Sequence, residues 1–345
     1  MEHVVLSGRG IQRFAAQSCI NEFEDVIVRT LGAQLVCPES GDNMAALDGL
    51  AGQDTVAWLV CLTIHQVPAL LAAVPRWRKR FARVVVYVFD SYERFPESVT
   101  FRQRYSRSMR TINQVDRIYI ALGGGVQRYQ RRFAVPVAFL PLAADVLQFG
   151  SARTERCISI NAYGRQHAGH SRVLDAHFNA RDGEGLFFHT SHTAIGAVHD
   201  YRAHRRQFWK MLSMSHIAMA YDPLAVNRSG DNAFGFSFIG QRWFESLAAG
   251  CLVVGRRPVC EETQHYLGWP DATVELPADD AAVLPFMLGL LRDTERLERA
   301  HRENYRQSLL RNDWRHRLAR MLDDLGIERP AVLVQELECL LQLAG

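Results

Sequence analysis

Phe236-Ser237-Phe238-Ile239-Gly240-Gln241-Arg242-Trp243-Phe244-Glu245-Ser246-Leu247-Ala248-Ala249-Gly250-Cys251-Leu252-Val253-Val254-Gly255 is the most informative stretch of this 345-residue chain. A glycine-bearing loop enters a short helix predicted over Gln241–Ala249. Gly250 supplies a stop, and a buried strand is predicted over Leu252–Gly255. Phe244, Leu247 and Ala248 fit an inward face; Arg242 and Glu245, three apart, share another. The start of such a helix offers unpaired N–H groups to an anion. Arg242 adds a guanidinium that can grip a phosphate with two hydrogen bonds. Glu245 has the acceptors that a vicinal diol, such as a ribose, requires. The plainer alternative is that Arg242 and Glu245 pair with each other.

Working outward, short apolar strands alternate with amphipathic helices, the pattern of parallel α/β sheets. The first half predicts strands at His3–Leu6, Gln34–Cys37, Val56–Cys61, Val84–Phe89, Arg117–Ala121 and Val137–Leu140, with helices such as Ile20–Leu31 and Val67–Ala73. The second half predicts strands at Cys157–Asn161, Gly185–His189, His216–Tyr221, Leu252–Gly255 and Thr273–Leu276. Its helices are predicted at Ser171–Asn179, Tyr201–Met214 and Gln241–Ala249, in one run from Ala281 to Leu322, and at Ala331–Leu343. The boundary is expected near Phe149–Ala152, giving domains 1–150 and 151–345. Ligands of open α/β sheets bind at the carboxyl ends of the strands, so a cleft between two such sheets is the expected site.

Arg242-Trp243-Phe244-Glu245, followed by Leu247-Ala248-Ala249-Gly250 and Val253-Val254-Gly255, resembles the donor-site signature of GT-B glycosyltransferases, and most nearly the CgeB-like, or "glycosyl transferases group 1", branch. The resemblance implies two Rossmann-like domains facing each other across a cleft, with C-terminal helices returning to the first domain. It also implies a nucleotide-sugar donor held by the second domain, and Glu245 on the nucleotide ribose. Many relatives carry a further glutamate eight residues earlier, where this chain has Ser237. Backbone N–H groups of the Gly235–Gly240 loop are the expected replacement for its sugar contact.

The second domain opens with Ile158-Ser159-Ile160-Asn161-Ala162-Tyr163-Gly164-Arg165, and the resemblance implies that Arg165 contacts the donor diphosphate. The alternative is a surface arginine after a strand. Relatives often carry a lysine shortly afterwards, where this chain has His170-Ser171, so Arg165 and Arg242 are expected to share the charge. In the first domain, Gly8-Arg9-Gly10 follows the first strand. It is not a complete dinucleotide fingerprint, because Arg13 stands at the last glycine position. In GT-B enzymes this loop borders the transferred sugar; an ordinary tight turn is the alternative. Asp90, ending the strand Val84–Phe89, is a candidate acceptor-orienting group or base, or a cap for the next segment. His65 is a second candidate, or a structural histidine. Asp145 reads as hinge structure, and Asn304, Asn312-Asp313-Trp314 and Arg317 as packing of the closing helices.

The net charge of +3, from 40 basic and 37 acidic residues, gives no ground for a nucleic-acid partner. Arginine clusters such as Arg76–Arg80 and Arg128–Arg132 read as solvated faces, or as a surface for anionic substrate or membrane. Seven scattered cysteines and no signal-peptide pattern predict a cytoplasmic protein, with any contact to the inner membrane surface peripheral. No cofactor is expected beyond the donor substrate. The chain has no DxD triplet, and His189, His192 and His199 have no carboxylate at a recognised spacing, so no metal is expected. Arginines and helix N-termini are then the expected charge stabilisers.

The expected activity is metal-independent glycosyl transfer to a hydroxyl, with the resemblance implying retention of configuration, in polysaccharide or glycoconjugate synthesis. The alternatives are a sugar-nucleotide epimerase on the same fold and a catalytically silent GT-B subunit. A nicotinamide oxidoreductase is disfavoured by the broken glycine fingerprint. Donor base, sugar and acceptor are not encoded in these motifs.

Overall fold

The computed structural model describes residues 1–9, 17–50, 54–90, 106–164, 166–190, 198–226 and 235–345. Two compact units divide the chain. The first comprises Met1–Pro141, Ala197–Tyr201 and Arg317–Val334. The second comprises Leu142–Gly196, Arg202–His316 and Gln335–Gly345.

The first unit holds a six-stranded sheet: β1 (Glu2–Leu6), β2 (Gln34–Val36), β3 (Thr55–Cys61), β4 (Arg83–Val88), β5 (Arg117–Ile120) and β6 (Val137–Phe139). Their spatial order is β2-β1-β3-β4-β5-β6, and every neighbouring pair is parallel. All seven residues of β3 are buried. That is why its sequence, TVAWLVC, is a continuous apolar run rather than an alternating one: a central parallel strand is covered on both faces.

The second unit repeats the scheme with β7 (Ile158–Ala162), β8 (Phe187–His189), β9 (Ser215–Tyr221), β10 (Leu252–Arg256) and β11 (Thr273–Glu275). The order is β11-β10-β9-β7-β8, again wholly parallel. In each unit the second strand lies outside the first and the third lies inside it. The chain therefore reverses its direction of winding between β1 and β3, and again between β7 and β9. Loops leaving the carboxyl ends of two such strands diverge and leave a crevice, the usual ligand position in open parallel sheets.

Among the described residues, the predicted strands fall where the apolar runs lie. The run from Ala281 to Leu322 differs: it forms three helices, Asp280–Arg292, Thr294–Arg311 and Trp314–Asp324. Asp293 ends the first and caps the second by accepting the Arg296 N–H. Asp313 accepts the Arg315 N–H at the head of the third. Short side chains that bind their own backbone break a helix even where its apolar period continues. Arg315 is buried and donates to Asp145 at 2.8 Å, Asp313 at 3.0 Å and Glu336 at 2.6 Å. Asp145 and Asp313 are thus structural, in one buried charge cluster.

Gly250 ends the Gln241–Ala248 helix with φ +74°. A Cβ there would lie 2.5 Å from the Ser151 carbonyl oxygen and 2.8 Å from that of His301. Gly250→Ala is therefore expected to cost roughly 2–4 kcal/mol of stability, combining left-handed strain with overpacking. Chemical denaturation measures it, and a variant as stable as the parent would refute this account. None of the described helices is long and apolar enough to cross a membrane.

Candidate functional site

At the β7/β9 reversal, β7 runs out into Tyr163 and Gly164, and β9 into Asp222. Arg165 lies outside the described residues. The Gln241–Ala248 helix points its start toward the same edge, because Arg242 Nη1 donates to the Tyr163 carbonyl at 3.1 Å. The guanidinium lies over Gly164, where a Cβ would meet Arg242 Cδ and Nη1 at 3.6 Å. Gly240 is the N-cap residue, in extended conformation and with no side chain to satisfy the helix's first N–H groups. The half-buried Arg242 and these N–H groups form an electropositive edge.

Glu245 is held by Arg205 and Tyr163. Glu245 Oε1 takes a 2.5 Å ion pair from Arg205, and Oε2 accepts from the Tyr163 hydroxyl at 3.2 Å. The glutamate is 2% exposed and Arg205 5%. The carboxylate expected to face a ligand thus sits in packed interior, with both oxygens engaged. Burial and the neighbouring Glu245 charge push the Tyr163 hydroxyl well above its ordinary pKa, so it stays protonated and can donate.

Arg205 was missed by the motif reading, although the helix Tyr201–Ser213 carries a signal for it. Arg205, Trp209 and Leu212 recur at i, i+4 and i+7, and all three are buried. An arginine in register with an apolar stripe requires a buried partner. Its guanidinium also lies 4.4 Å from the Phe208 ring centroid.

Ser237 donates to the buried Asp222 carboxylate and accepts the Val259 N–H at 2.7 Å. A carboxylate therefore stands beside position 237, supplied by the end of β9 rather than by residue 237 itself. Asp222 was not among the expected site residues. The missing signal is spatial, since only the sheet brings residues 222 and 237 together.

In the first unit, Gly8 is buried directly after β1, and Gly10 lies outside the described residues. Between them, Arg9 turns into the unit and meets Glu24 at 2.6 Å, Asp25 at 2.9 Å and the Tyr201 hydroxyl at 2.5 Å. His65 is exposed at the start of the Gln66–Ala72 helix, after β3. Asp90 is partly buried after β4, and its N–H bonds the Leu62 carbonyl at 2.7 Å, joining the loops that follow β3 and β4. The segment Asp90 would cap lies outside the described residues.

The Gln17–Leu31 helix adds a feature the motifs did not show. Gln17 Oε1, Ser18 Oγ, Asn21 Oδ1 and Glu24 Oε1 are buried with no hydrogen-bond partner among the described residues. Positions 17, 21 and 24 share one helical face, so these acceptors form a stripe at the β1 side of the unit. His189 belongs to the second unit, on the edge strand β8, where its Nε2 lies 3.0 Å from Asp175, and His199 belongs to the first unit. His192 lies outside the described residues.

Residues 188–323 match the family model described as glycosyl transferase-like. No curated protein matches the sequence. Among solved structures, the chain is similar to HepE of Anabaena in complex with UDP-glucose, with a TM-score of 0.55 at 8% identity, over 94% of this chain and 99% of that one. HepE in complex with UDP and glucose gives a TM-score of 0.53 at 8% identity, over 94% and 100%. TarM is a weaker likeness, with a TM-score of 0.47 at 9% identity over 79% of this chain, which spans 55% of the TarM chain. The likeness to HepE gives the fold of the chain, two parallel-sheet α/β units of GT-B type.

Proposed function

We propose that the chain is a glycosyltransferase that moves a sugar from a nucleotide-diphosphate sugar to an acceptor hydroxyl. The observation that carries this reading is the family match over 188–323, which contains the Gln241–Ala248 helix with Arg242 at its start. HepE, similar along nearly its whole length, is described with UDP-glucose, so a uridine diphosphate sugar is the first donor to test.

In this reading the diphosphate lies at the end of β7, against Arg242, Arg165 and the helix start after Gly240. The transfer breaks the bond from the anomeric carbon to the diphosphate oxygen and forms one to the acceptor oxygen. Negative charge grows on the diphosphate as it leaves, where fixed positive groups act most strongly. The arginines carry that charge without a metal in the transfer step. Ser237 and Asp222 supply polar contacts to the sugar in place of the absent glutamate.

Glu245 takes the ribose once its buried carboxylate is uncovered, and Oε2 is the oxygen to do so, because its bond to Tyr163 is long and uncharged. On the first unit, Gly8, Gly10, His65 and Asp90 belong to the acceptor side, with Asp90 or His65 receiving the acceptor proton. The acceptors of the Gln17–Leu31 helix that have no partner among the described residues suit a hydroxyl-rich ligand. Within GT-B enzymes the motif fits the CgeB-like branch, retention of configuration and a cytoplasmic site of action with peripheral membrane contact.

The test is a thermal-shift panel of nucleoside diphosphates and nucleotide sugars. At a ligand concentration near 100 times Kd, one of them is expected to stabilise the chain by about 2.7 kcal/mol. The same ligand is expected to give a much smaller shift with Arg242→Ala. A panel in which no nucleotide moves the melting temperature would overturn the reading and leave a silent scaffold.

A further inference from the structure

We propose that His167, His170 and Asp280 form a binding site for one first-row divalent cation of zinc type, which ties the start of the Ala168–Phe178 helix to the start of the Asp280–Arg292 helix. The inference does not depend on the transferase reading. One ligand atom from each residue lies within 4.8 Å of the other two. His170 Nε2 is 3.1 Å from Asp280 Oδ1, and His167 Nδ1 is 4.0 Å from the same oxygen. The two imidazole centroids are 4.0 Å apart. Atoms bound tetrahedrally to one ion at about 2.0–2.2 Å stand about 3.4 Å apart, so His170 and Asp280 part slightly and His167 moves inward.

A hydrogen bond from His170 to Asp280 explains the 3.1 Å contact alone. Three further features point to an ion. First, the opposite nitrogen, His170 Nδ1, is 2.8 Å from the Tyr221 hydroxyl. That second contact fixes the ring's orientation, and the hydroxyl can either donate to Nδ1 or accept from it, a supporting arrangement common to metal-bound histidines. On coordination Nε2 gives up its hydrogen, Nδ1 carries it, and Tyr221 becomes the acceptor. Second, residue 169, between the two histidines, is a glycine, and a Cβ there would lie 2.1 Å from Asp280 Oδ2. The missing side chain is what lets the carboxylate reach the histidine pair. Third, His170 is buried while His167 and Asp280 are 40% and 50% exposed at their side chains. One anchored ligand, two adjustable ones and open coordination positions toward solvent make a three-ligand site that completes its shell with water.

Two nitrogens and one carboxylate oxygen suit zinc and its first-row neighbours better than calcium or magnesium. Two effects oppose binding. Both helix starts carry positive partial charge, and His167 Nδ1 must release the His170 N–H it accepts at 3.3 Å. The full charge of Asp280, at coordinating distance, outweighs half-charges that lie farther off.

The experiment uses the whole chain, stripped with a chelator and titrated with Co²⁺ and Zn²⁺. Visible absorption and calorimetry read binding, and melting temperature reads folding. One equivalent of Co²⁺ is expected to give d–d bands that Zn²⁺ abolishes. His167→Ala and Asp280→Asn are expected to weaken binding at least ~100-fold, because loss of even a supporting partner costs about 10–100-fold. Both residues are partly exposed, so Asp280→Asn is expected to melt near the parent temperature without metal, and His167→Ala a few degrees lower because it removes a helix cap. Absence of a one-to-one complex, or binding in both variants equal to the parent, would overturn the proposal; equal binding would assign the ion to other residues among the thirteen histidines. The nucleotide shifts are read separately, so failure of one idea leaves the other standing.

Discussion

Glu245→Ala is expected to destabilise the second unit by about 3–5 kcal/mol, because it strands the Arg205 guanidinium in packed interior without its counter-ion. The carboxylate accepts from Arg205 through one oxygen and from Tyr163 through the other, so its removal also takes one acceptor from the buried Tyr163 hydroxyl, which keeps the Arg242 carbonyl at 3.2 Å. Replacing both charges, as in Arg205→Met with Glu245→Met, is expected to restore most of the loss, since well-packed apolar groups substitute for a buried pair at little cost. Urea unfolding of the two single variants and the double variant measures the coupling. A Glu245→Ala midpoint equal to the parent's would refute the buried pair. The prediction bears on function as well: loss of activity in Glu245→Ala does not by itself assign the ribose. Tyr163→Phe separates the roles. It frees Oε2 while leaving the Arg205 pair, so nucleotide affinity is expected to hold or rise if Oε2 receives the ribose, and to fall if the tyrosine itself makes the contact.

Arg242→Ala is expected to lower the rate of sugar transfer by about 10²–10³-fold, the usual cost of losing one preorganised group at a site of developing charge. The melting temperature is expected to change little. The side chain is only half-buried, and its hydrogen bond to the Tyr163 carbonyl lies at the edge of the sheet. Arg242→Lys keeps the charge but not the planar fork, so it is expected to recover part of the loss. Steady-state kinetics with the donor identified by the thermal-shift panel reads both. An unchanged kcat in Arg242→Ala would remove this guanidinium from the chemistry. A fall in melting temperature as large as that of Glu245→Ala would make its role structural instead.

The strand framework was legible because each central parallel strand is apolar along its length, as in TVAWLVC over Thr55–Cys61, and needs no distant partner to be recognised. The helix stop at Gly250 was legible for the same local reason: a positive φ admits glycine most readily. The division of the Ala281–Leu322 run was also written locally, in the capping carboxylates of Asp293 and Asp313, but the apolar period obscured it. What the motif could not reveal was the partner of each charge. Spacing set Arg242 beside Glu245, whereas the fold sends Glu245 to Arg205, forty residues away, and Arg242 to a carbonyl at the end of β7. Asp222 came to Ser237, and Asp280 to two histidines more than a hundred residues earlier, only when parallel strands and their helices were laid side by side. Local sequence fixes backbone conformation and burial, because those depend on a residue and its near neighbours. The pairing of buried charges depends on which loops the sheet order brings to one edge, and that is decided by the tertiary structure.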